Sequence, residues 1–313
     1  MFFMEKITMT DAREQSLAEI FELFTVSQSA RGVAEVTLRN YRYHMRKIAK
    51  HLDIQRPMSS LTKRDLEKMV VEMRNSGLKH NSIATYVRMM KTFLNWCQRE
   101  GFSNLTIDSI KEKDQVKEPY KDQDIEKLLK RPNTNCDFGE YRCWVIVNFL
   151  LNSGCRAATV RHIQNCDVDL AGMRVAFRHN KNGRVQTIPL CSIMANILKE
   201  YMRIRKGGPQ DYLFCDVYGQ MLTENGLRHA IARYNKSRGV ESTSIHKFRH
   251  TFARKYLMDC GGNAFTLQKL MGHSTLRMTK HYCALYDADI TKDYDMHSPL
   301  TQMSNDKKRI SKK

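Results

Sequence analysis

The chain has 313 residues, enough for two ordinary domains, each with its own buried core. Apolar residues make up 42% and charged residues 27%, the balance of a soluble globular protein, but Lys and Arg number 52 against 33 acids, a net charge of +19. So large an excess repels itself in the compact state and points to a polyanionic partner, nucleic acid first and an anionic membrane surface second. The amino end, MFFMEKITMTDAREQ, has too few apolar residues before its charges for a secretory signal, and the longest apolar run, 144–151, is too short to span a bilayer. Nine cysteines, an odd number with no C-x-x-C pair, give no disulfide framework, so a reducing cytoplasm is expected. Cys97, Cys155 and Cys260 stand in apolar or helix-like contexts, where a free thiol acts as a small hydrophobe.

Four helical patterns fill the first hundred residues. Leu17, Ile20, Phe21 and Phe24 repeat at helical spacing, and Leu38, Tyr41, Met45, Ile48 and Leu52 do the same over 36–53. A third helix opens with the capping-box pattern Thr62-x-x-Asp65 and stops at Gly77. The fourth, 81–100, turns Ile83, Tyr86, Val87, Met90, Phe93, Leu94 and Cys97 inward and ends at Gly101. Short loops between such helices predict a compact bundle over 1–105. Between positions 31 and 102 there are fifteen Lys/Arg against six Asp/Glu, an excess of nine. Arg39, Arg42, Arg46 and Lys50 recur along one helix-like segment, a pattern that by itself reads as a solvated outer face.

Residues 106–120 lack apolar periodicity and contain Pro119, so they are expected to link the first domain to a second over 121–300. That domain starts with a helix whose first turn is acidic, Asp122-Gln123-Asp124, which suits the positive end of the helix dipole. A buried apolar helix is expected over 141–151. Past Asn165 the period changes: Val168 and Leu170, then 173–177, then 185–190 suggest three strands. Asn182-Gly183, between the last two, is a strong hairpin signal. Helices resume at 192–205 and dominate the rest, and the polar, Lys-rich residues 301–313 are expected to be a disordered tail. The fold class is therefore mainly α: an N-terminal helical bundle and a mixed α+β domain with a small antiparallel sheet.

Four segments have the residue types for phosphate chemistry. Arg156 follows a Gly just beyond the apolar helix, where backbone N–H groups and a guanidinium can converge on an anion. Lys181 stands at the expected hairpin tip, with the reach to deliver a proton to a leaving oxygen. In SIHKFRHTFA, His246 and Arg249 lie three apart and share a helical face, while Phe248 and Phe252 suit the opposite, buried one. Last, LMGHS places Gly272 at a helix end before His273, with Tyr282 nine positions further on as a hydroxyl that could reach back to the site. Taken singly, each has a blander reading as a capping, turn or surface residue.

Taken together, R…K…H-x-x-R…G-H…Y in this order, on a strongly basic two-domain chain, resembles the tyrosine recombinase (phage integrase) family over nearly the whole length. The helical first domain resembles that family's SAM-like core-binding domain. The layout is more similar to compact two-domain members, such as the Xer group and some transposon integrases, because little chain precedes the first core-binding helix to form an arm-binding domain. The resemblance implies that Arg156 and Arg249 clamp the scissile phosphate, that His273 adds a donor, and that Lys181 protonates the leaving 5′ oxygen. His246 would orient the phosphate or take the nucleophile's proton, and Tyr282 would attack to give a 3′-phosphotyrosyl link, with no metal, cofactor or ATP. It also implies a homotetramer on two double-stranded DNA sites, with a segment near 284–300 docking on a neighbour, and DNA-bending accessory proteins as candidate partners.

Helices two and four are the candidates for base reading. Arg39, Arg42 and Arg46 on the second, with Lys79, Arg88 and Lys91 at the fourth, are expected mostly on phosphates. One position departs from a frequent family pattern: Thr159 stands where many relatives have an acid three residues after the first arginine. The task expected is integration or excision of a mobile element. A DNA-binding regulator that does not cut, or a type IB topoisomerase-like enzyme, is the rival. His246 and His250 have H-x-x-x-H spacing, but Lys247 stands where a zinc hydrolase has its Glu.

Overall fold

The structure is a computed structural model that describes residues 15–112, 118–179, 185–273 and 275. Tyr282, Lys181, the Asn182-Gly183 turn, the segment 284–300 and the tail 301–313 lie outside the described residues. The chain divides into two compact units, Met1–Gln115 and Val116–Lys313.

The first unit is built from α1 (Leu17–Ala30), α2 (Glu35–Ile48), α3 (Lys63–Asn75) and α4 (His80–Arg99), with α4 packed against each of the other three. Reciprocal capping boxes start two of them: the Ser16 hydroxyl accepts from the Glu19 backbone, and Thr62 pairs with Asp65 in the same way. An aromatic group fills the centre. Phe24 meets Phe93 edge to face at 5.5 Å and Trp96 at 5.6 Å, the geometry that ring quadrupoles favour. Helix α2 ends at Ile48, short of the expected 53, and the chain turns there. Leu52 is nonetheless buried, so the apolar rhythm outlasts the helix that it suggested.

Residues 105–112 are laid along this unit. Ile107 is buried in its core, with Leu105 and Ile110 packed beside it. Polar ties run alongside: Asp108 pairs with Lys63 at 3.3 Å, the Lys91 ammonium donates to the Ser109 hydroxyl at 2.9 Å, and Glu112 pairs with Arg88. His80 Nε2 donates to the Lys111 carbonyl at 2.9 Å. No helical or strand period marks this strip in the sequence, because it forms neither element and is held by side chains from α3 and α4.

The second unit comprises α5 (Asp122–Leu129), α6 (Phe138–Ser153), α7 (Ala157–His162), the strands β1 (Val168–Asp169), β2 (Arg174–Phe177) and β3 (Gln186–Pro189), then α8 (Ser192–Arg205), α9 (Glu224–Ser237), α10 (Ile245–Met258) and α11 (Ala264–Met271). Helix α6 is central and packs against α5, α8, α9 and α10. It begins before its apolar run because the Asp137 carboxylate accepts from the Glu140 N–H at 2.8 Å and caps it. The strands form one antiparallel sheet in the order β1-β2-β3, with Val175 opposite Ile188 and Phe177 opposite Gln186.

Tyr120, just before α5, is buried. Its N–H donates to the Thr251 hydroxyl at 2.8 Å, and its own hydroxyl lies 3.2 Å from both the Ser242 and Ser244 carbonyls. Cys97 and Cys155 are buried, and burial pushes their thiols up to about 12 and about 11, as expected of small hydrophobes. Cys260 differs: it stands exposed just past the end of α10, where no packed face is left to take it. Among the described residues, no helix is long and apolar enough to cross a membrane.

Candidate active site

The site is assembled where α6, α10, α11 and β3 end or meet. Helix α6 stops at Gly154, whose left-handed φ of +57° turns the chain so that Arg156 can start α7 as its N-cap residue. A Cβ at Gly154 would lie 2.2 Å from Phe252 Cδ1, so both the backbone conformation and the close approach of α10 require glycine.

Arg249, on α10, is 5% exposed and anchors the site. Its Nη1 donates to the Gly154 carbonyl at 2.7 Å, and its Nη2 donates to the Met271 carbonyl at 2.8 Å. The same Nη2 lies 2.8 Å from His273 Nε2. One guanidinium thus ties the turn before Arg156 to the end of α11. Gly272, at φ +61°, terminates α11 and delivers His273 to that point.

The last carbonyls of a helix have no partner inside it and need one elsewhere. At α11 they receive side chains from two other elements. Arg249 takes Met271, and the Gln186 amide on β3 donates to Lys269 at 2.5 Å and Leu270 at 2.9 Å.

His273 is pushed down to about 4, first by burial and then by the Arg249 and Arg156 charges, so it is neutral near pH 7. Arg156 is half-buried and close enough for its charge to act on His273. His246 stands one turn before Arg249 on α10, exposed, its ring 5.9 Å from that of His250. Thr159 is buried on α7. The structure therefore brings Arg156, Arg249 and His273 together and places His246 on the same helix as Arg249. Concentrated positive charge beside a neutral histidine is chemically suited to holding one phosphodiester by its nonbridging oxygens.

In the first unit, Arg39, Arg42 and Arg46 are exposed on α2; Arg42 also donates to Thr25 Oγ1 at 3.4 Å and faces Glu35 at 3.9 Å. Lys79 caps α4, and Arg88 and Lys91 point to the 105–112 strip. Two further features lie outside these motifs. Gln186 belongs to no pattern, and its partners are more than eighty residues away. Helix α9, capped by Thr223, exposes Arg228, Arg233 and Lys236 on its outer face; their spacing of five and three could have flagged it beside α2 and α4.

The sequence profile of the Phage integrase family matches residues 120–289, and that of the phage integrase N-terminal SAM-like domain matches residues 23–101. Tyrosine recombinase XerC of Shewanella amazonensis is 23% identical over 302 residues, covering 94% of this chain and 100% of that protein. Among solved structures, a lambda integrase tetramer bound to a Holliday junction superposes with a TM-score of 0.71 at 17% identity, over 89% of this chain and 81% of that one. The Tn1549 transposon integrase in complex with transposon right-end DNA gives 0.69 at 20%, over 86% and 94%. The chain belongs to the phage integrase family. It is a site-specific tyrosine recombinase, an enzyme of DNA strand exchange.

Proposed function

We propose that the chain cuts and rejoins DNA through Tyr282, with Arg156 and Arg249 as the phosphate clamp, His273 as a further donor, His246 as an orienting group and Lys181 as the general acid. The Tyr282 hydroxyl attacks the scissile phosphorus, its proton passing to a base for which His246 is the candidate. The bond to the 5′ oxygen breaks as Lys181 protonates it, leaving a 3′-phosphotyrosyl link and a free 5′ hydroxyl. The 5′ hydroxyl of a second strand then attacks that link and restores both the phosphodiester and the tyrosine. The phosphodiester bond energy is retained throughout, and the step needs neither metal nor ATP.

The observation that most supports this is the buried Arg249 guanidinium, held at 2.7 and 2.8 Å by carbonyls from two separate helix ends with His273 on the same Nη2. A donor array fixed before substrate arrives loses little to reorganisation in the transition state. The net charge of +19 supports double-stranded DNA as the partner, as do the DNA-bound integrases of the same fold. We assign core binding to 1–105 through α2 and α4, connection to 106–120, whose first part packs along the first unit, and catalysis to 121–300. A tetramer on two sites, help from DNA-bending proteins, a cytoplasmic setting and a role in moving a mobile element complete the reading.

A nicked suicide substrate carrying the recombination site, taken from DNA flanking the gene, tests it. Wild type should form a covalent adduct on a denaturing gel in chelator-treated buffer, and Tyr282→Phe should form none. Binding without an adduct would instead favour a regulator. An adduct with relaxation but no joining of a second, intact site would favour a topoisomerase.

A further inference from the structure

Gln186 is the first residue of β3, and Lys181 stands five positions earlier in the chain, between β2 and β3. The far end of β3 is also held. Asn152, near the end of α6, donates from Nδ2 to the Pro189 carbonyl at 3.1 Å and accepts from the Cys191 N–H at 3.1 Å. The strand is thus pinned at one end to the helix that leads to Gly154 and Arg156. At the other, the Gln186 amide meets the Lys269 and Leu270 carbonyls, just before His273. The approach is close: a Cβ on Gly272 would lie 2.8 Å from Gln186 Oε1. Nothing in the core requires an amide here. Gln186 is half-buried at the edge of a small sheet, and a capping water could serve the same carbonyls if stability alone were at stake.

We propose that Gln186 is a positioning residue for leaving-group protonation: it holds the strand that follows Lys181 in the chain in register with the helix end that presents His273 and the Arg249 clamp. The inference rests on the assignment of Lys181 as general acid. A misplacement of about 1 Å at a reacting group costs on the order of a hundredfold in rate, so one amide bridging two catalytic elements has leverage.

The test compares cleavage of two suicide substrates, one with the ordinary 5′ oxygen at the scissile position and one with sulfur there. A thiol ionises near pH 8.5, so the sulfur departs as thiolate without a donated proton. Gln186→Ala should cleave the oxygen substrate roughly 10- to 100-fold more slowly than wild type, and the sulfur substrate within about threefold of it. Gln186→Glu, whose carboxylate cannot donate to the two carbonyls, should show the same pattern, and so should Lys181→Ala. Arg249→Ala should stay slow on both.

Each ratio is taken within one protein preparation, so partial unfolding cancels. A Gln186→Ala enzyme that matches wild type on oxygen, or that is equally slow on both substrates, overturns the positioning role while leaving the cleavage mechanism intact. A wild type without adduct, or a Lys181→Ala defect that sulfur does not relieve, overturns the underlying assignment and the inference with it.

Discussion

Arg249 and His273 meet at 2.8 Å, guanidinium Nη2 to imidazole Nε2. A guanidinium has only donors, so Nε2 is the acceptor and the ring proton of the neutral His273 is on Nδ1. Burial and the two arginine charges hold His273 in that neutral state.

The sign of the resulting pH dependence follows. The folded value of about 4 lies below the ordinary 6.5, so folding favours the neutral ring. That contribution is complete above about pH 6.5 and is lost as pH falls toward 4. Thermal unfolding midpoints of wild type should drop across this window, and those of His273→Gln should drop less. His44, lowered by burial as well, leaves a residual slope in the variant. Superimposable curves would place His273 outside the folded network.

Gly154→Ala should destabilise the second unit by about 2–4 kcal/mol, from the left-handed backbone and from a methyl forced against Phe252. Gly272→Ala should cost less, about 1–2 kcal/mol, because the obstructing Gln186 amide can swing aside. Chemical denaturation of the two variants measures the difference; equal costs would show that the Phe252 ring relaxes freely.

Arg249→Lys retains the charge but cannot reach both the Gly154 and Met271 carbonyls with one planar fork. It should lower stability by about 1–3 kcal/mol and reduce adduct formation at least about a hundredfold. Near-normal adduct with Lys would mean that charge alone is enough at this position.

On DNA, Arg39→Ala, Arg42→Ala and Arg46→Ala should each reduce the slope of log affinity against log salt by about 0.9 for every phosphate that the removed guanidinium neutralises. Glu112→Gln should strengthen binding by releasing Arg88 from its ion pair. Fluorescence anisotropy over a salt series reads both effects, and unchanged slopes would remove α2 from the interface.

Much of this was legible in the residues, for identifiable reasons. Thr62-x-x-Asp65 specifies a helix start locally, Arg156 and His273 each follow a helix end that a glycine marks, and Arg249 shares a face with His246 three positions before it. Helix ends were less clear. Leu52 kept the period of α2 from a turn, and Asp137 began α6 before its apolar run. The Gln186 amide was invisible, because a glutamine donating to carbonyls at 269 and 270 obeys no spacing rule. The same holds for Ile107, whose burial depends on a neighbouring helix pair and not on its own segment.

Tyr120, near the start of the second unit, is a fixed point. Its N–H is fixed to Thr251, and its hydroxyl to the carbonyls of residues 242 and 244 that lead into α10, the helix of His246 and Arg249. On the proposed assignment of Arg249, a pull on the chain at 118–119 would thus be passed through these bonds to the helix that holds the phosphate.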